Sequence, residues 1–539
     1  MIDETDGPDL TVKGIDGNSN AFEDKGGCRM GRIGLLPADA RPVTRDLPAQ
    51  VAAVAGWETA LPPREWLGFL KTSGDVERLL DWMRETAHQV DGWVISCDMM
   101  GYGGLVPSRV STLSEETVWR RLTKLKEIKM QDPEKPVYAF SSVMRISNSN
   151  INEEEKEYWA DYGQKIWAYS FYSHRYEITG DLSDRMRAEA VRRQIPERIL
   201  HDYLETRLRH FRMNRYLFEM AKQGWIDFLV FSQDDTSEYG LNVREQGQIR
   251  EWIRTSGMER RVLVYPGADE VACTLTMRMI HRFEGRCPKF FSFYSGERGS
   301  LIRTMYEDRP LGETVQEQIG ASGGIPVHHP EDAEVILAIN TPGKKQGDRA
   351  LGLYMDQVDT RDRDLPAFVK QIRQYLEKGK RVAVADVAYA NGADPVLISW
   401  LEEAVDIPSL AGFAAWNTAG NTLGNVVAHA GAVLAPGFHR LRHETLLFLR
   451  LSDDYLYQTV VRPEVKAWEE KQRATPEDCQ REVNRRMRPL MQELFSRHFA
   501  KREGRLRRLK VSSIQLPWRR LFEVCLDVEI ETEKVNEKG

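Results

Sequence analysis

The amino-acid sequence predicts an α/β protein: a (β/α)8-like barrel with allowance for extra strands, followed by a smaller C-terminal α+β module. Three observations predict it. From residue 31 onward, short apolar runs alternate with amphipathic segments, the pattern of a mainly parallel sheet covered on both faces. Most of the runs end in acids, amides, arginines or glycine turns, and parallel α/β folds bind ligands at the carboxyl ends of their strands. After residue 431 the alternation gives way to charged helical stretches. The chain has 539 residues, more than single cores usually hold. The expected division is therefore a tail (1–30), a barrel-like catalytic domain (31–431) and a C-terminal module (432–539).

In chain order, the first 30 residues are acidic and Gly/Asn-rich without an apolar stretch. They read as a disordered tail and not as a signal peptide. Ten apolar runs follow, at 33–36, 57–61, 93–97, 137–140, 228–231, 262–265, 290–294, 335–339, 382–385 and 412–415. That is two more than a (β/α)8 barrel uses. Either two runs are not strands, or the barrel carries extra strands, or two open α/β units are fused; the barrel is the preferred reading. Helix-compatible stretches lie between, for example at 75–89, 115–128 and 365–378. The insertion before the fifth run holds an aromatic cluster (Tyr158, Trp159, Tyr162, Trp167, Tyr169, Phe171, Tyr172, Tyr176), read as packing, and then a helix over 196–222. Ile199, Leu200, Tyr203, Leu204, Leu208, Phe211, Leu217 and Phe218 give that helix a core-facing stripe. Arg207, Arg209, Arg212 and Arg215 read as its solvated face. The basic run at 498–510 reads as another solvated helix face, and a β-like segment follows at 522–530.

Composition narrows the function. A net charge of -6 gives no broad case for nucleic acid, and no apolar run approaches the ~18 residues of a membrane span. Six scattered cysteines without a CxxC pair indicate neither a zinc knuckle nor a disulfide framework. They suit a reducing compartment, so the cytoplasm is expected. There is no GxxxxGK[ST] and no GxSxG, and GYGG at 101–104 is too short for a dinucleotide fingerprint. No cofactor is expected. His328 and His329 precede Pro330 without HExxH spacing; they read as a surface turn, and no residue is assigned as a metal ligand.

The chemistry concentrates in WIDFLVFSQDDTSEYG, residues 225–240. An apolar strand ends there in Asp234 and Asp235. Adjacent carboxylates raise each other's pKa, so one can hold a proton near neutral pH. Capping of the next helix is the plain alternative. Capping alone does not explain why the other strand ends share this character. They supply Asp39 and Arg41; Asp98, Tyr102 and Arg109; Arg145; Asp269 and Glu270; Asn340; Asp386 and Asn391; and Asn417 and Asn421. Parallel strands would gather these on one rim as a substrate-binding pocket, suited to a small-molecule or oligosaccharide substrate whose hydroxyls meet carboxylates and amides. Asp235 is the expected proton donor, with Asp234 its orienting or pKa-setting partner.

The combination PADARP, SCDMMGYGGLVPSR, FSQDDTSEYG, YPGADE and AAWNTAGNTLG is similar to a family of bacterial proteins known only as a domain of unknown function, over nearly the whole chain from residue 31. Members often read Asp-Asp before the Arg-Pro of the first loop. This chain has Asp39-Ala40 there, so that second position is given no essential role. More distantly, a strand ending in Asp-Asp and a later Asn-rich turn resemble barrel glycosidases acting on N-acetylhexosaminides. That resemblance implies that Asp234 orients the substrate acetamido group, that Asp235 is the acid/base, and that Asn417 or Asn421 binds sugar hydroxyls. The expected function is a glycoside hydrolase. Two alternatives stay open. One is a Mg²⁺- or Ca²⁺-dependent hydrolase using Asp39, Asp98, Asp234, Asp269, Glu270 and Asp386; the other is a non-catalytic sugar-binding protein.

Overall fold

Each of the ten apolar runs contains or overlaps a strand. Residues buried on both faces satisfy their backbone by pairing with neighbours. The computed structural model describes residues 31–234, 236–358 and 361–532; the predicted tail and Asp235 lie outside them. Six strands come first: β1 (Arg32–Leu36), β2 (Glu58–Ala60), β3 (Gly92–Ser96), β4 (Val137–Val143), β5 (Phe228–Gln233) and β6 (Val262–Pro266). They form one parallel sheet in the order β2-β1-β3-β4-β5-β6. Then come β7 (Lys289–Tyr294), β8 (Ile325–Pro326), β9 (Val335–Asn340), β10 (Gly347–Asp348), β11 (Arg381–Asp386), β12 (Tyr389–Ala390) and β13 (Gly412–Ala414). Five of these make a second parallel sheet, β13-β11-β9-β7-β8, while β10 pairs with β12. Near the end, β14 (Lys501–Arg502), β15 (Arg505–Gln515) and β16 (Cys525–Thr532) form an antiparallel sheet.

The expected single barrel is corrected by this pairing. Among the described strands β2 pairs only with β1 and β6 only with β5, so the first sheet keeps two edges, whereas a barrel must close on itself. The arrangement is that of two open α/β sheets, and they are wound alike. In order of appearance the first runs 2-1-3-4-5-6 and the second 2-1-3-4-5. Each therefore has a reversal of winding beside its first strand.

Both sheets are covered on both faces. Leu36, Trp93 and Ile95 enter one core, and Ile33, Leu35 and Val94 the other. In the second sheet Ile336, Ala338, Val382 and Val384 face one core, and Val335, Leu337, Ala383 and Ala385 the other. One helix, Ala419–Ala432, serves both units. All of its residues are buried. Ala428 and Ala432 pack in a core of the first sheet; Leu423, Val426 and Ala430 pack in a core of the second. Its small residues permit this approach. A Cβ on Gly424 would stand 2.2 Å from Glu270 Cγ, and one on Gly420 would stand 2.6 Å from the Pro266 carbonyl oxygen.

The chain beyond residue 432 adds Phe448, Val465, Met487 and Met491 to the same core as β11. One expectation about charge fails here, and another fails in part in the insertion. There Arg212 and Arg215 are exposed as expected, but Arg207 is buried and Leu208 of the expected apolar stripe is exposed. The basic run at 498–510 lies mostly on β14 and β15, not on a helix face; Arg507 pairs with buried Glu444, and Arg502 with Asp406 at 2.7 Å. In the helix Glu197–Lys222, Arg207 is buried against Glu245 at 2.7 Å, because the helix packs on more than its apolar stripe. The aromatic cluster does pack, with Trp159, Tyr158, Tyr162, Trp167 and Tyr169 around one small core. No helix among the described residues is long and apolar enough to cross a membrane.

The shared helix makes a stability prediction. Gly424→Ala should lower the unfolding free energy by about 1–3 kcal/mol, the usual cost of overpacking. Gly247→Ala lies in the helix Leu241–Ser256, where a Cβ meets nothing within 4 Å. It should raise stability by up to about 1 kcal/mol. Urea titration of the two variants checks the opposite signs.

Candidate functional site

The carboxyl ends of the first sheet and of β13 converge on a network of arginines and carboxylates. The loop after β1 turns into the helix Pro42–Val54, and Asp39 in that loop accepts bonds from the Arg41 backbone N–H at 2.9 Å and from Thr44 Oγ1 at 2.8 Å. So anchored, Asp39 also receives Arg41 Nη2 at 2.8 Å. Arg41 then reaches across to the loop after β6 and grips Asp269 with two bonds, at 2.6 and 3.1 Å. Asn417, after β13, donates to Asp269 at 2.9 Å. Asn421 accepts the backbone N–H groups of Ala268 and Asp269 at 3.1 and 3.0 Å. Asn391 and Asn417 have φ of 61° and 70°, the left-handed region that asparagine tolerates best among residues with a side chain.

Asp234, after β5, sits between Arg109 at 2.8 Å and Arg145 at 3.5 Å. The same two arginines hold Glu154, at 2.9 and 3.1 Å, and Arg145 also holds Glu155 at 2.9 Å. The segment before β16 closes over the network. Trp518 lies on Arg41 with 5.0 Å from guanidinium carbon to ring centre, and Arg520 lies on Trp518 at 4.9 Å. Arg520 bonds Glu153 and Glu154, each at 2.8 Å, and Glu523 at 2.5 Å. Trp518 and Arg519 both have left-handed backbones, with φ of 57° and 54°, at a cost of about 1–2 kcal/mol each.

Seven carboxylates (Asp39, Glu153, Glu154, Glu155, Asp234, Asp269, Glu523) thus share four arginines (Arg41, Arg109, Arg145, Arg520). The sharing is uneven. Burial would raise Glu154, but Arg145, Arg520 and Arg109 hold it well below the usual carboxylate range. Asp269 is pushed up to about 6, first by burial and then by Asp39 and Asp234, against the pull of Arg41. Arg41 cannot neutralise Asp269 fully, because its one charge also serves Asp39 and Glu523. Asp234 and Asp269 are therefore neighbouring carboxylates in unlike surroundings.

A cleft of about 650 Å³ adjoins the network. Ala40, Trp518, Phe69, Gly74 and Gln515 are among its walls. Ala40 separates Asp39 from Arg41, and the segment around Gly74 follows β2 and bonds Gly103 after β3. The cleft thus lies at the carboxyl ends of β1 and β2, under the segment between β15 and β16, on the side of the sheet where open α/β folds bind ligands. Its volume is within the range of small-molecule sites.

Other predicted residues lie elsewhere. Asp98 is buried against β4 and accepts from Ser142 N at 2.8 Å and Ser142 Oγ at 3.1 Å, with His210 Nε2 at 2.9 Å. Tyr102 stacks on that His210 at 5.8 Å. Asn340 and Asp386 form a buried set in the second unit: Asn340 donates to Asp386 at 2.8 Å, and Arg363 bonds Asp394 at 2.6 Å. Asp386 is pushed up to about 7 by burial and by Asp394. Asn391 donates to Asp348 at 3.1 Å, and its backbone N–H bonds the Asn417 carbonyl at 3.1 Å. Asp235 lies outside the described residues. The six carboxylates considered for Mg²⁺ or Ca²⁺ are thus spread over several places, and no metal-type group of three or more His, Cys, Asp or Glu occurs among the described residues. Sequence reasoning missed Glu153–Glu155 and the Trp518–Glu523 segment. The triple Glu after β4 and the Arg-Arg after Trp518 were the available signals.

Glu270 is turned away from the cleft, toward the shared helix. It accepts from Gln318 at 2.7 Å, while Glu307 accepts the Gly420 N–H at 2.8 Å. Burial pushes each up to about 8. The folded protein holds these protons more tightly than the unfolded chain, so their stabilisation is complete below about 4.5 and is lost as pH rises through about 8. The melting temperature should fall from pH 6 to pH 9. Glu270→Gln should flatten that slope and add at least about 1 kcal/mol at the alkaline end, as calorimetry across the range would read.

Searched against curated proteins, the sequence has no match. A family model described as "Protein of unknown function (DUF4127)" matches residues 33–527. That span takes in both parallel sheets, the arginine–carboxylate network and all but the end of β16, and the chain belongs to this family of unknown function.

Proposed function

We propose that the protein is a glycoside hydrolase acting on a small glycoside or oligosaccharide, with an N-acetylhexosaminide as the first substrate to test. One observation carries the reading. Asp234 and Asp269 stand in one network in unlike surroundings, Asp269 being pushed up to about 6 and Asp234 paired with two guanidinium groups. Hydrolysis of a glycosidic bond by two carboxyl groups needs that division: a protonated one for the leaving oxygen and an ionised one to stabilise positive charge or activate the nucleophile. The adjoining cleft offers the exposed Phe69 ring as an apolar surface for a sugar ring. Asn417 steadies Asp269. In this reading Asp269 donates the proton and Asp234 is its anionic partner, while Asp235 remains the second candidate acid.

A panel of chromogenic glycosides, assayed with and without chelator, tests the proposal. Hydrolysis should weaken as pH rises above about 6, where Asp269 gives up its proton. Asp269→Asn should lower kcat at least about 100-fold with little change in KM and should remove that alkaline limb. Asp235→Asn in the same assay separates the two candidate acids. Absence of hydrolysis across the panel, or an unaltered profile in both variants, would sink the proposal. Activity lost with chelator and restored by one divalent ion would favour the metal-dependent alternative instead.

A further inference from the structure

The arginines that are buried or half-buried differ in their partners. Arg41, Arg109, Arg363, Arg450 and Arg520 each bond a carboxylate. Arg349 and Arg462 have no ion pair among the described residues. Arg349 lies on the Tyr389 ring at 4.2 Å, and its buried Nε has no hydrogen-bond partner. Arg462 lies on the Phe522 ring at 4.8 Å and spends one N–H on Gln458 at 2.9 Å. The carboxylates that face Arg462 are turned to other partners. Asp348 accepts from Tyr306 at 2.7 Å and Asn391 at 3.1 Å, and Glu523 serves Arg41 and Arg520. Together with Lys466, the two arginines line a pocket of about 180 Å³ that also includes Glu470. Three cations and one carboxylate line the pocket.

We propose that this pocket is an anion site that takes a phosphate-type oxyanion, either free or as the phosphoryl group of a small molecule. Stacking on an aromatic ring fixes each guanidinium plane and leaves its edge free to fork an oxyanion. The volume holds roughly six waters, enough for a tetrahedral anion with part of its hydration shell. A cation taken out of water without a partner is costly, and burial lowers Arg462 accordingly; a bound anion would offset that cost. The site borders the carboxylate network without sharing its lining. Phe522 lies between them, touching Arg462 on one side and Arg520, at 5.3 Å, on the other.

The test uses the full chain and two probes, inorganic phosphate and glycerol 3-phosphate, followed by thermal melting and calorimetric titration, with sodium chloride at matched ionic strength as control. Phosphate should raise the melting temperature beyond the chloride control. Arg349→Gln should weaken binding about tenfold or more, the loss of one charge-assisted pair. Lys466→Gln, at an exposed position that does not threaten folding, should weaken it less. Tighter binding of the monoester assigns the site to a phosphoryl group, and equal or weaker binding assigns it to the free ion. A shift matched by chloride, or one unchanged in both variants, overturns the proposal.

Discussion

The structure depends on the close approach between the helix Ala419–Ala432 and the loop after β6. At Gly420 and Gly424 there is no room for a Cβ against Pro266 and Glu270. Because the helix comes this near, Asn421 in its first turn can accept both N–H groups that lead into Asp269, and Asn417 just before it can reach the Asp269 carboxyl. One packing constraint therefore joins the two sheets and also orients the carboxylate with the most useful environment. The same approach buries Glu270 and Glu307, whose retained protons are a consequence of the joint.

Charge sharing follows from that geometry. A buried ion pair repays its desolvation only when each charge has an adequate partner. Arg41 has three carboxylate partners, and Asp269 lies among Arg41, Asp39 and Asp234. Glu154 is in the opposite position, with three arginines around it. Two carboxylates of one network are thereby pushed in opposite directions by where the arginines stand. The Trp518–Glu523 segment contributes Arg520 and Glu523 to this balance, and its two left-handed residues are held by stacking on Arg41 and by the Arg520 pairs.

Much of this could be read from the chain itself. All ten apolar runs contain or overlap strands, since continuous β-rich burial has few other solutions. The strand ends did mark Arg41, Arg109, Arg145, Asp234, Asp269 and Asn417 as neighbours. What could not be read was which strand pairs with which. Alternating strands and helices fit a closed barrel and two open sheets equally well, and the choice rests on whether edges meet. Asp98 and Asp386 look like Asp269 in sequence, each at or within three residues of the end of an apolar strand. They differ in what faces them across the fold: Ser142 and His210 for Asp98, and Asn340 with Asp394 for Asp386. Arg520 and Glu523 were hidden for the same reason, because their partners stand more than 350 residues earlier in the chain.

The shared winding of the two sheets explains why the candidate site belongs to the first. Both have a reversal beside their opening strand, so both have a crevice at the carboxyl ends where a ligand would sit. In the second sheet that position, between β7 and β9, is filled by the protein's own side chains. Ser295 Oγ donates to Asn340 at 3.0 Å, and buried Arg363 lies against Asn340 and Asp394. In the first sheet a cleft remains at the carboxyl ends of β1 and β2, walled by Ala40, Phe69, Thr72, Gln515 and Trp518. A fold that offers two crevices keeps one as a bonded support. The other is left open where Ala40 and Trp518 form the edge of the carboxylate network.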